Sequence, residues 1–600
     1  MVHRIAVLDK DNCLSKKCGL ECIKYCPVNK MGSDCIILGE DKKALISELL
    51  CTGCGICIKK CPFTAINIIN LSEELKKDKI QQYGVNGFRI YRLPLPKKGF
   101  VLGLVGRNGI GKTTAVNILS GNLIPNLGEL ETKPSWDKVI EYFHGSELKA
   151  HFEKIANKQL RVSTKPQAVY LVPKIFSGNS KKLLKEMDER GVSDLLLTEL
   201  SLTVSANKDV NELSGGDLQR LAVAIAASKD ADIYFFDEPS SYNDVFQRLA
   251  VSRVIQSVAN LGKHVILVEH DLTFLDYLSN YIQILYGEAG AYGVVSKIQP
   301  SRTGINLLLD GYLPSENVRF REKPVTFAMY SLMDEPVGVL RLAEYSNLVK
   351  KYPEFSLEVE SGEIHEGEVV GILGGNALGK TTFMKMIANV EKPEEGEITT
   401  TCKVSYKPQY LTNDYDGTVR AILEEVGGVS FEETMIQQIL ITPLNLHRLY
   451  EKSVKDLSGG ELQKIAITIC LMRQAEIYAL DEPSAFIDVE DRIVLAKSMN
   501  RFAKSQGRAV LIIDHDIQLI DIVSDSLMIF KGEPGVKGYA SKPMRKENGM
   551  NLFLQDLQVT YRRDIDTGRP RVNKLGGKLD RKQKEAKTYY YLSKTHEQTE

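Results

Sequence analysis

VLGLVGRNGIGKTT, residues 101–114, decides how the rest of the chain is read. Its first five residues suit a strand buried on both faces, a glycine-rich loop follows, and Lys112-Thr113-Thr114 open a helical pattern. Gly106, Asn108, Gly109 and Gly111 form a loop whose glycines let the backbone close round phosphates, with charge met by amide groups and the helix N-terminus. Lys112 is placed to reach the β- and γ-phosphates and Thr113 to ligate Mg²⁺, with Thr114 completing the ATP-binding stretch.

The stretch returns as GGNALGKTT at 374–382, where Gly374, Asn376, Gly379, Lys380, Thr381 and Thr382 repeat the arrangement. LSGGDLQR at 213–220 returns as LSGGELQK at 457–464, and FFDEPSS at 235–241 as ALDEPSA at 479–485, in the same order. Ser214 to Glu238 and Ser458 to Glu482 are both 24 positions, while Glu238 to His270 is 32 and Glu482 to His515 is 33. These agreements indicate two copies of one α/β nucleotide-binding domain. Upstream the copies diverge: Lys112 to Gln167 is 55 positions and Lys380 to Gln409 is 29, a difference of 26. The extra residues fall at about 136–160, where apolar positions recur at helical spacing around a central HGS break, the pattern of a helix–loop–helix.

In IYFFDE the apolar run reads as a central parallel strand that delivers Asp237 and Glu238 to its carboxyl end. Asp237 suits the Mg²⁺ shell, and Glu238 is placed to orient or deprotonate an attacking water; Asp481 and Glu482 repeat the pair.

The 600 residues exceed one domain several-fold. Lys plus Arg total 77 and Asp plus Glu total 77, so bulk charge gives no case for binding nucleic acid or an anionic membrane. No apolar run approaches the roughly 18 residues of a spanning helix, and the N-terminus turns polar too soon for a signal peptide. A cytoplasmic protein without a membrane domain is expected. Nine of the eleven cysteines lie between Cys13 and Cys61, a cluster that in a reducing compartment suggests metal rather than disulfides.

CTGCGICIKKCP at 51–62 has the C-x2-C-x2-C-x3-C-P spacing of bacterial ferredoxins, whose fourth cysteine serves the other cluster. Upstream, Cys13, Cys18, Cys22 and Cys26 have looser spacings but also end in Cys-Pro. Crossing the fourth ligands assigns Cys13, Cys18, Cys22 and Cys61 to one 4Fe–4S cluster and Cys51, Cys54, Cys57 and Cys26 to a second, leaving Cys35 over. Zinc is the rival metal, and a structural or sensing role for the clusters stands beside electron transfer.

LSGGDLQR and LSGGELQK resemble the signature motif of ABC ATPases. That resemblance implies that Gln167 and Gln409 are Q-loop residues that also meet Mg²⁺, Asp244 and Asp488 D-loop residues, and His270 and His515 switch histidines. It further implies head-to-tail cassettes within one monomer. One ATP site would pair Lys112, Glu238 and His270 with Ser458, Gly459 and Gly460, and the other Lys380, Glu482 and His515 with Ser214, Gly215 and Gly216. ATP would close the halves and hydrolysis release them.

The order of parts resembles the ABC class E ribosome-recycling ATPases, the RNase L inhibitor family, of archaeal type: a ferredoxin-like domain (1–75), a first cassette with the insertion (76–300), a hinge containing ENVRFR (301–335), a second cassette (336–550) and a basic hinge containing GRPRVNK (551–600). The resemblance implies that the helix–loop–helix and both hinges touch the small ribosomal subunit and that closure swings the iron–sulfur domain to split the ribosome. The partners would be a release-factor-like protein and, after splitting, initiation factors. It also implies that Tyr83 and Phe88 stack on adenine, against the alternative that they pack a short strand. Arg107 and Gly375 stand where Pro is common in that family, and Asn243 where Leu is usual. Residues 562–587 hold ten Lys or Arg against four Asp or Glu, interleaved with Gly and Pro rather than set on a helix face; they suit either a phosphate backbone or a strap in the cleft between cassettes. A transporter motor, an ATP-coupled electron-transfer protein and a class F translation factor are the competing functions; the cysteine domain separates the chain from the first and last.

Overall fold

The computed structural model describes residues 2–10, 12–48, 50–63, 65–72, 78–322, 324–325, 327, 340–400, 402–409, 411–428 and 435–590. The expected boundaries near 75 and 335, and the last ten residues of the tail, lie outside them.

Each cassette is built on five parallel strands in the same spatial order. In the first, Tyr281–Glu288, Val101–Val105, His264–Val268, Ile233–Asp237 and Val162–Lys165 lie side by side. In the second, the order is Ser526–Glu533, Val369–Gly374, Ala509–Ile513, Ile477–Asp481 and Val404–Lys407. Parallel neighbours far apart in sequence require crossovers that cover both faces, which is why Val101–Val105 and Val369–Gly374 are buried at every position and read as unbroken apolar runs. Further strands, paired both antiparallel and parallel, extend the sheets to nine and eleven strands among the described residues. The α/β class expected from the repeat is the one observed. Asp237 sits opposite Val268 and Asp481 opposite Ile513, so the two acidic pairs leave their sheets at the same edge.

Residues 136–160 hold the helices Trp136–Tyr142 and Leu148–Ala156. Val139, Phe143, Leu148 and Phe152 are buried, and Trp136 stacks on Phe152 at 5.9 Å. His151 Nε2 lies 2.8 Å from the Leu119 carbonyl, which anchors the insertion to the end of the helix that starts at Lys112. At roughly 1.5–3 kcal/mol per buried apolar side chain, this inner face holds the insertion as part of the cassette core.

The cysteine-rich domain is small. Val2–Leu8 pairs antiparallel with Ile66–Ser72 and Ile36–Leu38 with Ala44–Ile46, and between them short helices carry Cys22 and Cys57 while loops carry the other cysteines. It is attached to the first cassette through the turn after Lys79–Gln82. Asn86 accepts from the Ile46 amide at 2.9 Å and its carbonyl from the Leu8 amide at 2.9 Å, while buried Arg89 pairs with Glu48.

One helix lies wholly in the expected first hinge yet belongs to a cassette, and another crosses the expected boundary at 550. Ser301–Asp310 packs its Ile305, Leu308 and Leu309 into the core of the first cassette, and Lys546–Leu557 lies along Ser526–Glu533. The tail then enters the cleft. Tyr561–Arg563 and Pro570–Val572 form a hairpin, in which Arg569 and Arg571 are buried and Arg562 and Arg563 are half-buried. Arg569 and Arg571 bind Asp276, at 3.3 and 2.8 Å, and Arg563 binds Asp521 at 2.9 Å. Asp276 lies six residues after His270 and Asp521 six after His515, so one strap grips matching positions of the helices that follow the two histidines. The expectation that the basic residues of 562–587 are not set on a helix is corrected for four of them: Lys578, Arg581, Lys582 and Lys584 lie on the helix Lys578–Glu585. With Leu579 its only large apolar residue it offers no periodic pattern, and a 2.7 Å bond from Thr560 to Asp580 ties it to the strap.

Candidate active sites at the cassette interface

Gly111 and Gly379, at φ +97° and +91°, turn the chain into the lysine-bearing helices. A Cβ at Gly106 would come within 2.4 Å of the Leu285 carbonyl, so the loop must pass that close to the neighbouring strand. Lys112 Nζ donates to the carbonyls of Gly106 and Arg107 at 2.7 and 3.0 Å, and Lys380 Nζ to those of Gly374 and Gly375 at 2.9 and 2.6 Å. Burial pushes both ammonium groups down to about 8. A desolvated cation beside main-chain amides at a helix start is a cradle for an anion.

Glu238 and Glu482 follow their strands directly and stand in the left-handed region, at φ +45° and +48°. Gln167 Nε2 donates to Glu238 Oε1 at 2.9 Å and Gln409 Nε2 to Glu482 Oε1 at 2.8 Å. His270 Nε2 is 3.7 Å from Glu238 Oε1, and His515 Nε2 is 3.5 Å from Glu482 Oε1. Both histidines are buried, and neither ring nitrogen of His270 has a hydrogen-bond partner. Burial, with Lys112 and Arg492 nearby, holds His270 well below its usual range, so its ring is neutral at pH 7 and keeps one donor and one acceptor for a ligand. Asp237 is pushed up to about 6 by burial and then by Glu238; Asp481 is also raised by burial, although Thr381 Oγ1 donates to it at 2.8 Å. Two crowded carboxylates beside a threonine hydroxyl form an oxygen-rich site that a divalent cation relieves. Glu482 behaves differently: burial opposes its ionisation, but His515, Gln409 and Lys380 together hold it at about 2.

The two lobes meet head to tail. Asp244 accepts the Asn376 amide at 2.7 Å, and Asn376 Nδ2 reaches Gln247 at 3.4 Å. The opposite interface is joined by Glu490, which lies 3.9 Å from Arg107 and also pairs with Arg321 of the hinge. Lys112 lies in the field of Asp488 and Lys380 in that of Asp244, so each phosphate loop faces the other lobe's D-loop. Between them Tyr242 meets Phe486 edge to face at 5.8 Å; each stands four residues after its glutamate, at φ +62° and +61°. Arg248 donates to the His515 carbonyl at 3.2 Å. Ser214 and Ser458 cap the helices that begin Gly215-Gly216 and Gly459-Gly460, leaving first-turn amides unpaired within the helix. Both serines bond within their own helices, to Asp217 and Glu461.

Tyr83 and Phe88 lie in the turn between Lys79–Gln82 and Arg89–Tyr91, rather than in a strand. Tyr83 is half-exposed, with its hydroxyl 3.4 Å from Thr114, while Phe88 packs under Gly111. The second cassette has the same pair, which sequence reasoning missed: Tyr352 and Phe355 stack at 6.4 Å, with Phe355 under Gly379. Their signal was the repeat itself, since Phe88 to Gly111 is 23 positions and Phe355 to Gly379 is 24.

Cys22 is pushed up to about 11 by burial and then by Cys61, Cys13 and Cys18, so these four thiols are neighbours. Cys57 is raised to about 11 by burial, with Cys51 and Cys54 adding. Cys35, fully buried, is raised to about 12 by burial and by contact with Cys26 and Cys51. Thiols that oppose one another's ionisation in a buried core fit metal centres that take them as thiolates. Among the described residues no three His, Cys, Asp or Glu side chains converge as on a single ion.

The sequence matches the family described as ABC transporter at 96–241 and 357–485, the possible Fer4-like domain in RNase L inhibitor at 3–34 and the 4Fe-4S binding domain at 44–67. Among the described residues no helix is long and apolar enough to cross a membrane. ABC transporter E family member 1 of Arabidopsis thaliana is 44% identical over 98% of this chain and 99% of its own length. A structure titled as a model of ribosome-bound archaeal Pelota and ABCE1 contains a chain 49% identical, with a TM-score of 0.94, covering 98% of this chain and 100% of that one. The complex of archaeal ribosomal stalk protein aP1 with the archaeal ribosome recycling factor aABCE1 gives 48% identity and a TM-score of 0.82 over 87% of this chain and 100% of that one. With two ATP-binding cassettes and an iron–sulfur domain, and with relatives matched over 98% of its length, the chain is an ABC-type ATPase and belongs to the ABC E family.

Proposed function

We propose that the chain is a ribosome-recycling factor that splits ribosomes after termination and stays on the small subunit, driven by ATP-dependent closure of its cassettes. The observation that carries this reading is the attachment of the cysteine domain to the turn bearing Tyr83 and Phe88, through Asn86 and Arg89. A nucleotide base seated on that turn shares a few residues of backbone with the domain to be moved. The titles of two related structures, a ribosome recycling factor and a protein bound to the ribosome with Pelota, support the ribosome as the load.

At each site the lysine and loop amides hold the phosphates, the glutamate orients and deprotonates water, and the histidine places a hydrogen bond at the γ-phosphate. The signature glycines supply amides from the other lobe. Thr113, Asp237 and Gln167, and Thr381, Asp481 and Gln409, would hold Mg²⁺, which when bound neutralises phosphate charge. Cys13, Cys18, Cys22 and Cys61, and Cys51, Cys54, Cys57 and Cys26, would hold two 4Fe–4S clusters, which when bound staple a domain too small for a large apolar core. The small subunit, a release-factor-like protein and initiation factors are the partners, in the cytoplasm.

Co-sedimentation with small ribosomal subunits tests the reading. Binding with a non-hydrolysable ATP analogue and loss of binding with ADP are expected; equal behaviour with both would refute it.

A further inference from the structure

We propose that Lys165 and Lys407 are positioning residues for hydrolysis, each clamping the main chain that carries its site's acidic pair so that Glu238 and Glu482 are held ready for water. The inference rests on the reading of those glutamates as water-activating. Neither lysine belongs to the phosphate loop, signature or switch.

Both lie in the same short sequence, Lys165-Pro166-Gln167 and Lys407-Pro408-Gln409, and both close an edge strand in the same register, opposite Phe236 and Leu480. Both are buried, at 0% and 2% exposure. Lys165 Nζ donates to the carbonyls of Asp237 at 2.6 Å and Glu238 at 3.2 Å; Lys407 Nζ donates to those of Asp481 at 2.7 Å and Pro408 at 3.1 Å. An ammonium group is costly to bury, and an apolar side chain would fill such a place without that cost. What the charge provides is donors to the carbonyls where the acidic strand leaves its ladder, with a cation beneath two carboxylates.

The backbone there needs holding. A non-glycine residue persists in the left-handed region only where its surroundings over-determine it, and both glutamates stand there. Gln219 and Gln463, within the signatures and on the helices they open, donate to the carbonyls of Glu238 and Glu482 from a second side. The third residue of each Lys-Pro-Gln unit bonds the glutamate carboxylate, at 2.9 and 2.8 Å. One tripeptide therefore grips the acidic pair at its main chain, through the lysine, and at its reactive end, through the glutamine. A shift of the loop that begins at the proline turns the carboxylate against a fixed main chain.

The test uses the full-length, cluster-loaded protein with Lys165→Met or Lys407→Met, beside Glu238→Gln and Glu482→Gln. ATP affinity is read with a fluorescent ATP analogue, turnover by phosphate release and folding by thermal melting. Misplacing a reacting group by a fraction of an ångström predicts turnover about 10- to 100-fold lower, with ATP affinity within about twofold of wild type. Each lysine variant should reproduce the pattern of the glutamate variant at its own site. Turnover retained, or lost in step with ATP affinity, would overturn the proposal. Where methionine lowers the melting temperature, Lys→Gln, which keeps a neutral donor, is measured in the same way; misfolding of both makes the lysine a core strut only and also overturns it. If Glu238→Gln and Glu482→Gln themselves keep full turnover, the reading of the glutamates fails instead.

Discussion

Asp244 uses its two carboxylate oxygens for different lobes: Oδ1 caps its own helix by accepting from Gln247 N at 2.9 Å, and Oδ2 accepts from Asn376 N in the opposite phosphate loop at 2.7 Å. Asp488, its counterpart, caps its helix through Asp491 N at 3.0 Å, while the lobe contact beside it is the 3.9 Å pair of Arg107 with Glu490. A charge-assisted hydrogen bond is worth roughly 1.5–3 kcal/mol, so Asp244→Ala should shift the closing equilibrium about 10- to 100-fold toward open. Asp488→Ala should shift it less. Fluorescence transfer between dyes on the two lobes, with ATP trapped, reads both; equal shifts would refute the inequality of the two interfaces.

The strap gives the largest expected loss of stability. Asp276→Ala leaves Arg569, fully buried, and Arg571 without their shared carboxylate, at a cost of about 3–5 kcal/mol. Asp276→Leu combined with Arg569→Met removes charge from both sides and should recover part of that loss in thermal melts. A double variant as unstable as the single one would show that the pairing is not the cause.

Asp564 closes the strap's turn and receives Arg302 at 3.1 Å and Arg571 at 3.3 Å. Burial opposes its ionisation, but Asn306 and Arg302 hold it at about 2, below its usual 3.8. A folded-state value below the unfolded one stabilises above the unfolded value, and that stability is lost as pH falls toward the folded one. Asp564→Asn should therefore melt earlier than wild type near neutral pH, with the gap shrinking between about pH 4 and pH 2. A gap that does not change with pH would rule out the charge as its source.

The crossed cysteine sets predict which losses go together. Cys22→Ser and Cys61→Ser, 39 positions apart, should each remove the same half of the iron and of the absorbance near about 400 nm. Cys57→Ser should remove the other half. If Cys61→Ser instead gave the electron paramagnetic resonance spectrum of Cys57→Ser, the fourth ligands would not cross.

The chemistry of the sites was legible in the sequence because it needs fixed residue types at fixed spacing. A strand, a glycine turn and a lysine at a helix start must be contiguous, and the repeat puts Asp237 and Asp481 at the same register of their two separate sheets. Tyr352 and Phe355 were equally legible and were overlooked, although the repeat carried them. Contacts made only by tertiary folding were not legible. Asn376 meets Asp244 across 132 residues, and a count of charges in 562–587 could not say that Arg563, Arg569 and Arg571 face inward to Asp521 and Asp276. The helix at Lys578–Glu585 left no apolar period, because a hydrogen bond rather than a hydrophobic stripe holds it.

The most direct measurement mixes the protein with ATP, post-termination ribosomes and the release-factor-like partner, and separates the products on a gradient. Free subunits, with the protein on the small one, are expected for wild type, and fewer for Glu238→Gln and Glu482→Gln. Intact ribosomes under ATP, or the same splitting without ATP, would contradict ATP-driven closure as the source of work.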